Sequence, residues 1–142
     1  IEVRNIPAIG WMLSLRGDIV IRRGTREAAT TVMTEGSQHL QAGVRVAIFP
    51  EGTRTKDGEV HRFKDGAFRL AQENNVAILP CVMDDTKRLF SARGLNRRQL
   101  TVRILPPISA EEVVATPARE LAERVEEMTR TALAEMRVQK TK

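Results

Sequence analysis

The stretch VRVAIFPEGTR, residues 44–54, joins a run of apolar side chains to a polar loop. Val44 to Phe49 has the β-branched, apolar content of a buried strand, and Pro50 is expected to end it because proline cannot donate to a sheet ladder. The next four residues, 51–54, carry a carboxylate, a glycine, a hydroxyl and a guanidinium. We therefore predict a buried strand that leads directly into a polar loop.

Strands and helices alternate on both sides of this stretch. Further strands are predicted at 19–21, at 76–79, ended by Pro80, and at 100–105. Helices are predicted at 25–43, at 66–75 and from Pro117 onward, and Ser109 and Glu112 have the spacing of a capping box. Such alternation predicts an α/β fold with a mixed, mostly parallel sheet flanked by helices. In folds of this kind ligands usually bind beyond the carboxyl ends of the strands.

The composition favours one globular domain with an affinity for anions. The 142 residues are 42% hydrophobic and 29% charged, which suits a single domain over residues 1–142. A net charge of +5 favours phosphate groups, anionic lipid surfaces or nucleic acid as partners. The single Cys81 excludes an internal disulfide and favours a reducing, intracellular setting; we predict a small buried side chain there. No stretch approaches the roughly 20 apolar residues of a membrane-spanning helix.

The loop after Phe49 has the chemistry of an anion site. Gly52 lets backbone N–H groups approach an anion, and Arg54 offers a planar fork for phosphate oxygens. Glu51 can accept a hydrogen bond from a ligand hydroxyl or hold the arginine. The alternative is a polar exit from the strand in which Glu51 and Arg54 simply pair with each other.

Four segments, in order, resemble motifs of the glycerolipid acyltransferases, the family of the lysophosphatidate acyltransferases. The segment 49–54 resembles the third motif, and Gly17 to Arg23 looks like the second. Phe63 to Phe68 resembles the Phe-Lys-x-Gly stretch that follows the third motif, and Val76 to Cys81 resembles the fourth. The resemblance covers about residues 10–83, and four segments in the family's order are more specific than any one of them.

The resemblance implies a site for the glycerol phosphate part of an acceptor lipid. Family members often carry Asp before the closing arginine of the second motif, where this chain has Arg22, so Arg23 is the anchor there. The substrate-binding residues that the resemblance implies are Arg23, Glu51, Gly52, Thr53, Arg54 and Lys64.

The first motif of the family, His-x4-Asp, is absent from this sequence. His39 is followed five residues later by Val44, and His61 by Gly66, so neither has the aspartate that would orient it. We interpret both histidines as surface or structural residues and assign no catalytic residue within the chain. We expect the N-terminal part of the domain, with the catalytic histidine and any membrane anchor, to be missing here, and this stretch alone to be inactive.

By resemblance, the parent protein would transfer a fatty acyl group from acyl-CoA or acyl carrier protein to lysophosphatidate, giving phosphatidate. No cofactor, metal or nucleic acid is expected, and the protein would act at a membrane surface on the cytoplasmic face. Another lysophospholipid or a lyso-aminolipid stays open as the acceptor. A different class of function also stays open: a noncatalytic module that binds anionic lipid or nucleic acid through the basic loop Lys87 to Arg98.

Overall fold

The structure, a computed structural model, describes residues 26–53, 57–84 and 100–141. The chain divides into two compact units, residues 1–46 and 47–142. The predicted strand at 19–21 lies outside the described residues. The single domain over residues 1–142 stays a prediction.

In the first unit the described element is helix α1, Arg26–Gln41. The helix ends in a Schellman motif, because Val44 N–H donates to the His39 carbonyl at 2.9 Å and Gly43 N–H donates to the Leu40 carbonyl at 3.0 Å. Gly43 has φ +75°, which a glycine adopts without a Cβ penalty. The predicted helix end is therefore confirmed.

The prediction of a strand at 44–49 is wrong, because the structure has no strand at these residues. This segment has no regular secondary structure, and Val44, Ile48 and Phe49 are 49%, 39% and 71% exposed. The N–H of Val44 is used by the helix cap, and no strand among the described residues pairs with the segment. Apolar, β-branched content indicates a preference for burial, but it does not supply the neighbouring strand that a ladder needs.

The second unit contains a two-stranded sheet formed by β1, Cys81–Asp84, and β2, Thr101–Ile104. The strands are antiparallel, with Val82 opposite Arg103, so the described residues form no parallel ladder. Pro80 does not end a strand, since its carbonyl accepts a hydrogen bond from Leu105 N–H at 2.9 Å and β1 begins after it. The predicted strand at 76–79 is reduced to one bridge between Ile78 and Ile108. Cys81 is exposed, contrary to prediction, because side chains alternate along β1 and Val82 takes the buried face.

The described residues of the second unit also form three helices: α2, Gly66–Glu73, α3, Ala110–Ala115, and α4, Ala118–Thr141. The predicted cap of α3 is confirmed, because Ser109 Oγ accepts a hydrogen bond from Glu112 N–H at 3.2 Å. The core lies between these helices and one face of the sheet, and its members include Phe63, Phe68, Val82, Ile108, Val113, Leu121, Val125 and Met136. An α/β unit is thus confirmed. None of the helices in the described ranges is long and apolar enough to cross a bilayer.

Candidate functional site

The polar loop after Phe49 is a tight turn fastened to a second segment of chain. Gly52 N–H donates to the Phe49 carbonyl at 3.1 Å, and Gly52 has φ +66°. The Pro50 carbonyl accepts a hydrogen bond from Lys64 N–H at 2.9 Å. The turn and the segment that ends at Lys64 therefore lie side by side, although 14 positions separate Pro50 and Lys64 in sequence.

The side chain of Lys64 lies over Gly52. A Cβ added to Gly52 would come 3.0 Å from Lys64 Nζ and 3.3 Å from Cε, so a larger residue would require the end of the lysine side chain to move by a few tenths of an ångström. Lys64 as a whole is exposed, which leaves its charge accessible from solvent. The Gly52 N–H is used by the turn, so it is the exposed ammonium group of Lys64 that can bind a phosphate or carboxylate oxygen here.

Glu51 adds a carboxylate to the same turn. Its Oε2 atom is buried and has no hydrogen-bond partner among the described residues. Burial raises the pKa of Glu51, and the negative charges of Asp57 and Glu126 raise it further, against the charge and the backbone N–H of His61. A buried acceptor without a partner costs free energy, and a ligand hydroxyl could supply the missing hydrogen bond.

His61 lies next to this carboxylate but pairs with a different one. Its Nε2 is 3.0 Å and 3.1 Å from the two carboxylate oxygens of Asp57, and both side chains are exposed. The Glu59 N–H, followed by the His61 side chain, lowers the pKa of Asp57. Asp65, four residues after His61, instead binds Arg69 at 2.7 Å. His61 is thus a surface residue, as predicted.

The structure brings together three of the six predicted site residues, Glu51, Gly52 and Lys64. Thr53 is exposed beside them. Arg23 and Arg54 lie outside the described residues, so their placement stays a prediction. No group of three or more His, Cys, Asp or Glu side chains within the described ranges could hold a metal ion.

Helix α4 contributes two contacts near the site that the sequence did not indicate. Glu126 Oε2 accepts a hydrogen bond from Phe63 N–H at 2.9 Å, and Arg137 donates to the Gly58 carbonyl at 2.5 Å. The sequence shows only the spacing of Glu126 and Arg130 as a pair within one helix. The two contacts join residues that are separated by 63 and by 79 positions, so no local sequence pattern indicates them.

A family model described as Acyltransferase matches residues 1–84, which is more than half of the chain. This chain belongs to the acyltransferase family. The resemblance found in the ordered motifs is therefore confirmed, and the Glu51 turn and Lys64 both lie within the matched part of the chain.

Three relatives of this chain illustrate the family. The yeast 1-acyl-sn-glycerol-3-phosphate acyltransferase is 34% identical over 95% of this chain and 46% of its own length. The human 1-acyl-sn-glycerol-3-phosphate acyltransferase alpha is 38% identical over 86% and 44%. The crystal structure of the LPA acyltransferase PlsC from Thermotoga maritima matches with a TM-score of 0.73 at 27% identity, over 96% of this chain and 54% of that chain. The chain thus spans about half the length of the relatives that it matches.

Proposed function

We propose that this protein transfers a fatty acyl group to the free hydroxyl of lysophosphatidate and so forms phosphatidate, a step of phospholipid biosynthesis. The observation that carries the proposal is the position of Lys64 Nζ over Gly52, the residue that follows Glu51, whose buried Oε2 atom has no hydrogen-bond partner among the described residues. These residues lie in the part of the chain that the family model matches. Relatives named for acylation of 1-acyl-sn-glycerol-3-phosphate support the choice of acceptor.

The acceptor phosphate would bind at the turn of Gly52. Lys64 supplies positive charge over Gly52, and the resemblance implies that Arg54 and Arg23 add to it. Glu51 accepts a hydrogen bond from a glycerol hydroxyl, which orients the reacting end of the acceptor. Deprotonation of that hydroxyl needs a base, and the family's His-x4-Asp pair does not occur in this sequence. The proposal for these residues is therefore acceptor binding, with no catalytic role.

We also propose which acyl donor is used and where in the cell the reaction takes place. Acyl-CoA or acyl carrier protein provides the acyl group, and the lipid acceptor is met at a membrane surface on its cytoplasmic face. A net charge of +5 supports approach to an anionic bilayer or to an acidic carrier. No metal, cofactor or nucleic acid takes part. A larger, mostly parallel sheet in the whole protein belongs to the same proposal.

The test is an acyl-transfer assay on the full-length protein. Oleoyl-CoA and oleoyl-acyl carrier protein are each offered with 1-oleoyl-lysophosphatidate, and phosphatidate is measured by mass spectrometry. We expect product with at least one donor. Absence of phosphatidate with both donors, from folded protein, would refute the proposal, whereas faster turnover of another lysophospholipid would change the acceptor.

A matched pair of variants tests the binding site. Lys64→Ala removes the cation over Gly52, and we expect the KM for lysophosphatidate to rise by about tenfold or more, with a smaller effect on kcat. Arg69→Ala removes an exposed cation whose partner is Asp65, and should leave that KM unchanged. An unchanged KM in Lys64→Ala would remove Lys64 from the acceptor site.

A further inference from the structure

Glu126 of α4 lies behind the candidate site, in a part of the chain that the family model does not match. Its carboxylate joins two groups: Oε2 accepts the Phe63 N–H at 2.9 Å, and Oε1 accepts a hydrogen bond from Arg130. The side chain is 18% exposed, so the contact with Phe63 is largely shielded from water. A hydrogen bond to an ionised acceptor in such a place is stronger than a neutral one.

Phe63 is the residue immediately before Lys64, and its ring is part of the buried core. The backbone at this point is therefore fixed on two sides, by packing of the ring and by the hydrogen bond to Glu126. The next N–H, that of Lys64, binds the Pro50 carbonyl at 2.9 Å. The Glu126 carboxylate of α4 is thus hydrogen-bonded to the backbone of Phe63, and the next residue, Lys64, carries the ammonium group over Gly52.

The charge of Glu126 is maintained by its partners. Burial alone would raise its pKa, but the Phe63 N–H and Arg130 together hold the pKa of Glu126 below its ordinary value, with a smaller contribution from Arg62. The carboxylate is consequently ionised at neutral pH and is an acceptor only. Its charge also acts on Glu51, whose pKa it helps to raise.

We propose that Glu126 is a positioning residue of the acceptor site, which holds the Phe63 backbone so that Lys64 lies over Gly52. The proposal rests on the proposed function, because the contact of Lys64 with an acceptor phosphate is part of that function. Glu126 touches no substrate; it acts through Phe63 and Lys64. Its removal lets the segment that ends at Lys64 shift, and the cation is then lost from the phosphate position in a fraction of the molecules.

The experiment compares three substitutions in the full-length protein. Glu126→Ala removes the acceptor of the Phe63 N–H; Glu126→Gln keeps an oxygen acceptor but removes the charge. Glu123→Ala is the matched control, since Glu123 is also a carboxylate of α4 paired with an arginine, Arg119, in the same helix. Two quantities are measured: the KM for 1-oleoyl-lysophosphatidate at saturating donor, and hydrogen exchange of the Phe63 amide.

Glu126→Ala should speed exchange of the Phe63 amide and raise the acceptor KM by about tenfold, with kcat and the donor KM changed less. Glu126→Gln should restore the KM to within about threefold of wild type because the acceptor oxygen is retained. Glu123→Ala should change neither quantity. In a Lys64→Ala background, Glu126→Ala should cause no further increase in KM. If Glu126→Ala instead weakened binding through a general loss of stability, its full effect on KM would be added to that of Lys64→Ala.

The proposal is overturned by an unchanged Phe63 exchange rate in Glu126→Ala, or by effects of Glu126→Ala and Lys64→Ala that simply add. If Glu126→Ala does not fold, Glu126→Met takes its place in the experiment. Methionine keeps the side-chain volume but lacks the oxygen acceptor, and the acceptor KM and the exchange of the Phe63 amide are measured as before. Failure of the proposed function has a different signature: wild-type protein gives no phosphatidate. If wild type turns over and Lys64→Ala raises the KM but Glu126→Ala does not, only the positioning role fails.

Discussion

Arg137 of α4 donates a hydrogen bond at 2.5 Å to the carbonyl oxygen of Gly58 and pairs at 2.9 Å with the carboxylate of Glu59. The same guanidinium lies 3.8 Å from Asp84 at the end of β1. Together with Glu126 at Phe63, it fastens the two ends of segment 58–63 to one helix. Arg137 and Glu126 of α4 thus hold the segment that leads to Lys64 in the candidate site.

The contacts of Arg137 should make it a determinant of stability. Arg137→Ala leaves the Gly58 carbonyl without this donor, and we expect the free energy of unfolding to fall by about 1–3 kcal/mol. Arg119→Ala, the control, removes an exposed pair with Glu123 within one helix and should cost less than about 0.5 kcal/mol. Urea unfolding measures both values. Equal losses in the two variants would show that the contact with Gly58 contributes nothing of its own.

Gly52→Ala should damage both stability and acceptor binding. The residue has φ +66°, and its new Cβ would lie 3.0 Å from Lys64 Nζ. A non-glycine residue in this conformation costs about 1–2 kcal/mol, and the lysine must move away. We therefore expect a lower melting temperature and a higher KM for lysophosphatidate.

Gly43→Ala provides the control for that prediction. Gly43 has φ +75° but no atom within 4 Å of an added Cβ, so the variant has a comparable backbone cost without a contact. It should lower the melting temperature and leave the acceptor KM unchanged. A rise in KM of the same size in both variants would mean that loss of stability, and not displacement of Lys64, weakens binding.

Glu51→Gln should separate stability from activity. Because burial raises the pKa of Glu51 in the folded protein, the folded state holds this proton more tightly than the unfolded chain does. The contribution of the side chain to stability is largest below the ordinary pKa of Glu and is lost as the pH rises through the raised value. Gln cannot ionise, so the variant should gain stability relative to wild type as the pH rises above the ordinary pKa of Glu. The acceptor KM should rise modestly, because an amide oxygen accepts a hydrogen bond more weakly than a carboxylate does.

Asp57→Asn should show the opposite pH dependence. The Glu59 N–H and His61 lower the pKa of Asp57, so its contribution to stability is present above the ordinary pKa of Asp and is lost as the pH falls through the lowered value. The variant should be less stable than wild type at pH 7, and the difference should shrink in acid. Unfolding in urea at a series of pH values measures both variants. Curves of the same sign would contradict the assigned environments of the two carboxylates.

Ser109→Ala should destabilise α3. The Ser109 hydroxyl accepts the Glu112 N–H, and loss of such a cap costs about 1 kcal/mol. Ser109→Asp keeps an oxygen acceptor at the cap and should retain most of the stability. Thermal unfolding compares the two, and an equal loss in both would argue against a role for the cap.

The sequence correctly predicted structural features that are determined by residues close together in the chain. The glycine at the end of α1 and the cap at Ser109 each depend on residues within a few positions in the chain, and the structure has both of them. The exposure of Phe49 depends on distant segments, and there the prediction failed. The mostly parallel sheet is not confirmed, since the two described strands are antiparallel. Lys64 was assigned to the site by resemblance, but its support by Glu126 connects residues 63 positions apart in sequence.

The contacts of Glu126 and Arg137 have a consequence for the order of folding. Segment 58–63 can adopt its final backbone only when α4 is available to hold it, and closing a loop of more than 60 residues precedes any gain from these contacts. During synthesis the residues of the Gly52 turn leave the ribosome well before α4 does. The candidate site should therefore form late, after α4 has docked, and a nascent chain that stops before Glu126 should present Lys64 without a defined position.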